Sequence, residues 1–498
     1  MKRQEIFKHL IAVSKKTDTQ IYVVGGFVRD LCMYGSELPS KDIDFVVLGS
    51  GLQFARYLDA YLDEAGTLVE FEDFDTARYV FMSEQLVDEN GDDIKRHKLL
   101  EIEFAGARKE AYTADSRKPN VTPATLNQDL SRRDFTVNAM ALPVELFNDG
   151  FPNDQTIMKS LVDPFNGIND LQNKIIKTPL DPDETFSEDP LRMLRAARFA
   201  SQLSFGIEPK TYKALKDNAS RMSIISKERI QEEFFKLLIT KVPSVGLWIL
   251  HETDIFDQFI LEIKDLAGVE EVKGYKHKDN LSHTFAVVDN LAMYTDKPLL
   301  RLAALLHDIA KPDTKAFSKT RGWTFDMHEH LGKKMTRDIC KGLRMKRSDT
   351  EYVAKLVRWH LQPIALVDKG VTDSAIRRLI VNLGDDLHDL LLLCRSDITT
   401  GNQSKKIRRL KNYDILEQKI KQVIESDELR AFQSPVRGEE IMEICGIKPG
   451  PTIGKIKKQI EEAILEGDIP NEYEPAKEYL LQIKDQYLKD VLDWETVN

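Results

Sequence analysis

The chain has 498 residues, 42% hydrophobic and 31% charged, with a net charge of −10. That length suits roughly three domains with buried cores, and the acidic balance argues against a chain coated in nucleic acid while allowing local basic faces. The longest apolar runs, Leu302–Leu306 and Leu390–Leu393, are far short of a membrane span of ~18 residues. The charged N-terminus MKRQEIFKHLIAVSKKTDTQ lacks a signal-peptide core, and the four cysteines show no CxxC spacing, so a cytoplasmic protein with no membrane partner is expected.

In chain order, helical spacing covers Gln4–Ser14 and Leu52–Leu62. Strand patterns cover Ile21–Val24, Asp42–Leu48, Ala77–Met82 and Leu99–Ala105. The polar segment Glu84–Lys98 contains Asn90-Gly91, a hairpin-turn signal. After Asp149-Gly150 strand signals fade, and from Asp189 onward the pattern is almost wholly helical. The fold class is therefore α+β: a small mixed-sheet head followed by a long all-α body.

Four motifs in the first two hundred residues carry chemistry. Gly25-Gly26-Phe27-Val28-Arg29-Asp30 follows a strand and opens a helix. Glycines there admit close backbone approach to phosphate, helix N–H groups attract an anion, and Arg29 adds charge. Asp42-Ile43-Asp44 puts two carboxylates on one strand face, where like charges repel unless a cation lies between them. Magnesium suits such oxygens together with substrate phosphates. Glu101 and Glu103 share a face of a later strand, and Glu103 is the better third carboxylate. In Arg132-Arg133-Asp134-Phe135-Thr136-Val137-Asn138-Ala139-Met140, a helix would pair Arg133 with Val137 and Asp134 with Asn138. Arg133 could then hold a triphosphate, Asn138 a ribose or phosphate, and Asp134 an arginine or the ribose. Finally, Glu188-Asp189-Pro190-Leu191-Arg192 leads into arginines at 192, 195 and 198. On one helix these form a charged stripe led by Asp189.

Together these segments resemble the class II tRNA nucleotidyltransferases (CCA-adding enzymes) and the related bacterial poly(A) polymerases. GGFVRD, DID, RRDFTVNAM and EDPLRMLRAARF stand in the family's order, and LVDPFNGINDLQNKIIKT matches the connecting segment. The resemblance implies that Asp42 and Asp44 bind Mg²⁺ as catalytic ligands with Glu103. It implies that Gly25, Gly26, Arg29, Arg133, Asp134, Asn138, Arg195 and Arg198 serve the nucleotide. It also implies that Asp189 and Arg192 read the base of CTP or ATP in place of a nucleic-acid template, with tRNA as acceptor. Two departures stand out: no threonine precedes Arg108 in Phe104-Ala105-Gly106-Ala107-Arg108, and the Glu84–Lys98 insertion is long. A poly(A) polymerase, an enzyme adding only CC or only A, and a phosphohydrolase with a nucleotide-binding head remain alternatives.

Seven of the ten histidines fall between 277 and 388. His-Asp at 307–308, His283 before it, and His328, His360 and Asp397 after it offer metal ligands. They resemble the HD phosphohydrolase set, with Mg²⁺ or a divalent transition metal as the implied ion and phosphodiesters as the implied substrate class. His330 is the weaker candidate beside His328. The expected division is a nucleotidyltransferase head at 1–150, a helical neck reading the base at 151–265, an HD domain at 266–400 and a tRNA-binding tail at 401–498. The tail's basic side chains include Lys405, Lys406, Arg408, Arg409 and Lys411.

Overall fold

The computed structural model describes residues 3–37, 42–63, 65–82, 98–111, 120–268, 271–272, 275–276, 279–368, 372–427 and 434–489. The expected hairpin around Asn90-Gly91 lies outside them. Contacts divide the chain into two compact units, Met1–Lys264 and Asp265–Asn498.

The first unit is built on a six-stranded sheet. Its order is Thr67–Phe71, Thr76–Met82, Lys98–Gly106, Asp42–Val47, Ile21–Val24 and Ala141–Pro143. Asp42–Val47 runs parallel to Lys98–Gly106, and the other neighbours are antiparallel, so the sheet is mixed. The edge strands Thr67–Phe71 and Ala141–Pro143 go beyond the strands read from sequence. Thr67–Phe71 is half exposed, so its apolar signal is weak, and Ala141–Pro143 is only three residues long.

Alternation along Asp42–Val47 sets the two faces of the sheet. Ile43 and Phe45 point into a core of aromatic rings. Phe45 stacks on Phe104 with centroids 5.3 Å apart and meets Phe7 edge-on at 6.1 Å. Helices Arg3–Thr17 and Gly51–Tyr61 supply Phe7 and Phe54 to this face. Asp42, Asp44 and Val46 point to the opposite face. There Val46 is covered by Leu126 and Leu130 of helix Leu126–Ser131. That short helix covers one end of the face and leaves the carboxylate end open.

The segment after Ser131 is not the helix that the motif's spacing allowed. Helix Leu126–Ser131 stops, the chain turns, and Thr136–Asn138 forms one 3₁₀ turn. The buried Asp134 carboxylate accepts from the Phe135 N–H at 2.8 Å, which favours the turn over continued helix. The expected pairing of Asp134 with Asn138 survives: Asn138 Nδ2 donates to Asp134 at 3.1 Å.

Helix Leu191–Leu203 lies at the centre of the helical part of this unit, packed by Pro182–Glu188, Lys227–Leu238 and Pro243–Glu252. It is buried nearly all round, and Arg192 and Arg198 are buried with it. The arginine stripe is therefore an inward-facing one.

The second unit is helical. Asn280–Ala292, Pro298–Leu306, His328–Gly342, Arg347–Trp359 and Leu387–Ser396 pack around Leu302, Leu305, Val353, Val357 and Leu390. Gln403–Asp427 carries the basic run, with Lys405, Arg408 and Lys411 exposed. The last three helices share their own apolar cluster, which includes Ile441, Ile456, Ile460 and Leu480. Among the described residues, no helix is long and apolar enough to cross a membrane.

Candidate active site and metal centre

The open end of the sheet face forms the floor of a cavity of about 310 Å³. Asp44 and Glu103 lie side by side on paired strands, as the Asp44–Glu103 register requires. Asp42 sits one pleat away and is exposed. The walls carry six arginines, Arg108, Arg132, Arg133, Arg192, Arg195 and Arg229, together with Asp134 and Asp189. Arginine surplus over a carboxylate floor is the pattern a polyphosphate with a divalent cation needs.

Charge within the cavity supports the same assignment. The Asp44 side chain keeps an exposed surface, yet protein encloses it on the remaining sides. Desolvation, reinforced by Glu103 beside it, pushes its carboxyl up to about 6 despite the attraction of Arg133. A carboxylate held against other carboxylates gains most from a hard cation, so the donor set fits magnesium. Glu103 has a competitor: Arg78 on the next strand lies 3.3 Å from it and 2.9 Å from Glu101.

Gly25 takes φ of +72° at the turn into helix Gly26–Tyr34. A Cβ there would lie 3.1 Å from Arg133 Nη1 and 3.4 Å from Asp44 Oδ2. Glycine is thus required both by the backbone and by the site. The Arg133 Nε is buried and has no hydrogen-bond partner.

Several candidates sit behind the lining. Arg29 is buried, paired with Asp30 at 2.6 Å and donating to Asn138 Oδ1 at 2.9 Å. Arg198 is buried on Glu233 and also donates to Gln202 at 2.7 Å. A Cβ at Gly26 would meet the Arg29 guanidinium at 3.5 Å. Arg29, Asn138, Asp134 and Arg195 form one relay. Asp134 receives Arg195 Nη2 at 2.6 Å and Nε at 2.8 Å.

Burial opposes charge on Asp134, but Arg195 and Asn138 outweigh it and hold the carboxyl down at about 2. Its folded pKa is depressed, so its stabilisation is present above the unfolded value near 4 and is lost as pH falls through about 2. The shift corresponds to about 2 kcal/mol. Asp134→Asn should therefore lose less stability than the wild type between pH 4 and 2. Thermal melts across that range check this, and parallel acid losses would contradict it.

Asp189 and Arg192 do not pair on one helix face as expected. Asp189 precedes Pro190, and its backbone is extended (φ −135°, ψ 95°), so the helix starts at Leu191. Its carboxylate accepts from Leu191 N at 3.2 Å and meets Arg229 at 3.2 Å. Arg192 donates to Thr185 O at 3.1 Å, Glu188 at 3.3 Å and Arg132 O at 2.6 Å. Both still line the same cavity. Arg108, Arg132, Arg229 and the buried Asp129 and Glu233 complete the site beyond the sequence candidates. Asp129 has a local signal, three and four residues before Arg132 and Arg133, and Arg132 stands in the Arg132–Met140 motif itself.

In the second unit, two groups each bring three donor atoms within 4.8 Å: His283, His307 and Asp397, and Asp308, His328 and His360. All six sequence candidates meet here. His330, exposed, is in neither group. Asp308 lies 3.2 Å from His307, 3.5 Å from His283, 3.3 Å from His328 and 3.7 Å from His360. His283 reaches Asp397 at 2.9 Å.

Three rings are locked by local carbonyls. His307 Nδ1 meets Ala304 O at 2.8 Å, while His328 Nδ1 meets Phe325 O and His360 Nδ1 meets Val357 O at 2.7 Å. A carbonyl accepts only, so each Nδ1 donates and each Nε2 is aimed at the centre. His307 Nε2 is buried without a hydrogen-bond partner. Burial disfavours charge on His307, yet Asp308 and Asp397 lift it to about 10; burial and His307 push His360 down to about 4. A proton held among carboxylates marks where a divalent cation fits, and two three-donor groups joined at Asp308 suit a pair of ions.

Comparisons with known proteins match segments in both units. A poly A polymerase head domain profile matches residues 21–177, a probable RNA-binding site of polymerase A matches 204–266, and an HD domain matches 280–390. The A-adding tRNA nucleotidyltransferase of Deinococcus radiodurans is 31% identical over 360 residues, 70% of this chain and 77% of that protein. The multifunctional CCA protein of Methylococcus capsulatus is 30% identical over 398 residues, 76% of this chain and 81% of that protein. The structure of the Bacillus stearothermophilus CCA-adding enzyme in complex with CTP has a TM-score of 0.64 at 20% identity, covering 99% of this chain and 100% of that one, which establishes the shared fold. The chain belongs to the tRNA nucleotidyltransferase family, with a poly(A) polymerase-type head and an HD domain on one polypeptide.

Proposed function

We propose that the protein adds CCA to the 3′ end of tRNA without a nucleic-acid template, using CTP and ATP. The observation that carries this is the Asp44–Glu103 floor, with Asp42 beside it, under a wall of six arginines. In the reaction, the tRNA 3′-oxygen bonds to the nucleotide α-phosphorus and the bond to the β-phosphate oxygen breaks, releasing pyrophosphate. Asp42, Asp44 and Glu103 would hold Mg²⁺, which supplies charge neutralisation and activation of the attacking hydroxyl. Arg133 and Arg195 bind phosphate oxygens from opposite tethers, Asp129 and Asp134. Gly25 lets the chain turn close against them. Gly26, Arg29, Asn138 and Arg198 support these groups from behind.

Base choice falls to Asp189 and Arg192. A carboxylate accepts from the amino group of cytosine or adenine, and a guanidinium donates to the ring acceptor. Uracil and guanine reverse that polarity and leave buried polar groups unpaired. Loss of such a bond costs ~1.5–3 kcal/mol, about ten- to a hundred-fold. Asp189→Ala or Arg192→Ala should let UTP or GTP compete. Incorporation of all four nucleotides on tRNA lacking CCA measures this, and unchanged selectivity for CTP and ATP would refute it.

The deciding assay incubates the protein with tRNA lacking CCA, with CTP alone, ATP alone and both, and sequences the 3′ ends. CCA only with both nucleotides supports the reading, and a run of adenosines would identify a poly(A) polymerase. The similarity to the A-adding Deinococcus enzyme favours one second reading, a single A added to tRNA already ending in CC. The HD centre is assigned a phosphohydrolase role on phosphodiesters, with Mg²⁺ or a transition metal at the six ligands. The head is taken as 1–150, the neck as 151–265, the HD domain as 266–400 and the tRNA-contacting tail as 401–498, in a cytoplasmic enzyme.

A further inference from the structure

We infer that Asp129 is a positioning residue for the nucleotide, a buried carboxylate that presets Arg132 and Arg133 on the cavity wall. The inference rests on the nucleotidyl-transfer reading of that cavity. Asp129 is fully buried at the inner side of helix Leu126–Ser131. It takes no part in starting that helix, because Thr125 and Gln128 already form its capping box. Its carboxylate instead faces the two arginines that follow. Arg132 donates to Oδ1 through Nη2 at 2.6 Å and Nε at 3.1 Å, and Arg133 Nη2 meets Oδ2 at 3.3 Å. The backbone N–H of Arg108 adds a further bond.

One carboxylate therefore holds two of the six cavity arginines side by side. Like-charged guanidiniums that close would separate without it. The tether also fixes which atoms of Arg133 remain for a ligand. Nη2 is held by Asp129, Nη1 points toward Gly25 and Asp44, and Nε stays buried without a partner. Without Asp129, Arg133 is left with the attraction of Asp44 across Gly25, so the arginine would turn from the phosphate toward the metal ligand. The same turn supports the base-reading side, because the Arg132 carbonyl accepts Arg192 Nη2. Ordering charged donors before the ligand arrives is how preorganisation raises affinity.

The test is titration calorimetry of the full-length protein with CTP and Mg²⁺, without tRNA, beside steady-state kinetics. Asp129→Asn keeps the side-chain shape and removes the charge. It should weaken CTP binding about ten-fold and raise KM alike, with a smaller change in kcat. If Asp129 acts through the two arginines, the losses of Asp129→Asn and Arg133→Gln should overlap, so that the double variant binds CTP more tightly than the product of the two single losses requires. Full additivity of the two losses, or unchanged CTP binding by a folded Asp129→Asn, overturns the assignment. Should Asp129→Asn fail to fold, Asp129→Glu keeps the charge and shifts it by one methylene. Weaker CTP binding at an unchanged melting temperature then supports the role, and wild-type affinity overturns it. No CTP binding by the wild type removes the nucleotidyl-transfer reading and this inference with it.

Discussion

Asp44→Ala is expected to abolish nucleotide addition while leaving the fold intact, with turnover down by about 10³-fold or more. The size follows from position. Asp44 is the carboxylate at the cavity floor, flanked by Glu103 on the paired strand and reached by Arg133 across Gly25. The stability outcome has a separate cause. Enclosure and Glu103 raise the Asp44 carboxyl to about 6, so its charge at neutral pH opposes folding and does not support it. Removing it should leave the melting temperature unchanged or slightly higher. Asp42→Ala should act in the same direction, because Asp42 shares the strand face. Single-turnover addition to tRNA lacking CCA, with circular dichroism melts on the same samples, checks both halves. Near-normal turnover in either variant would remove the metal-ligand assignment. A lost fold would show that the strand needs these carboxylates structurally.

The parts of this protein legible in its sequence are those whose partners are close in the chain. Asp42 and Asp44 share a face because strands alternate, and Gly25-Gly26 marks a turn because few residues tolerate that backbone. The histidines were legible as a set, and their local locks explain part of this: His307, His328 and His360 each use the carbonyl three residues earlier. What stayed hidden depends on distant partners. Helical spacing suggested a stripe at Arg192, Arg195 and Arg198, but their carbonyl and carboxylate partners at Arg132, Asp134 and Glu233 turn that stripe inward. The spacing in Arg132–Met140 also allowed a helix, which the structure replaces because a buried Asp134 serves a turn, an arginine and an amide together. Asp189 was misplaced for a local reason that was available: a proline follows it.

The second large effect is expected at the HD centre. His307→Ala combined with Asp308→Ala should remove metal-dependent phosphodiesterase activity, by about 10³-fold or more, and spare nucleotide addition. Asp308 is the point where the two donor groups join, within 3.7 Å of all four histidines. Without it, neither group keeps a carboxylate shared between ions, and Lys311, which pairs with it now, is left facing the histidines. His307 contributes a buried Nε2 that faces Asp308 at 3.2 Å and Asp397 at 3.7 Å. The substitution at 307 removes a ligand, and the apolar helix Pro298–Leu306 before it keeps its own buried leucines. Nucleotide addition should continue because the carboxylate floor and arginine wall belong to the other compact unit. Hydrolysis of a generic phosphodiester such as bis(p-nitrophenyl) phosphate, assayed across Mg²⁺, Mn²⁺, Co²⁺ and Ni²⁺, reads the first activity, and 3′-end sequencing reads the second. Metal content of the purified double variant should fall in parallel. Loss of both activities in a folded double variant would mean the two centres depend on each other, and retained hydrolysis would place that chemistry elsewhere.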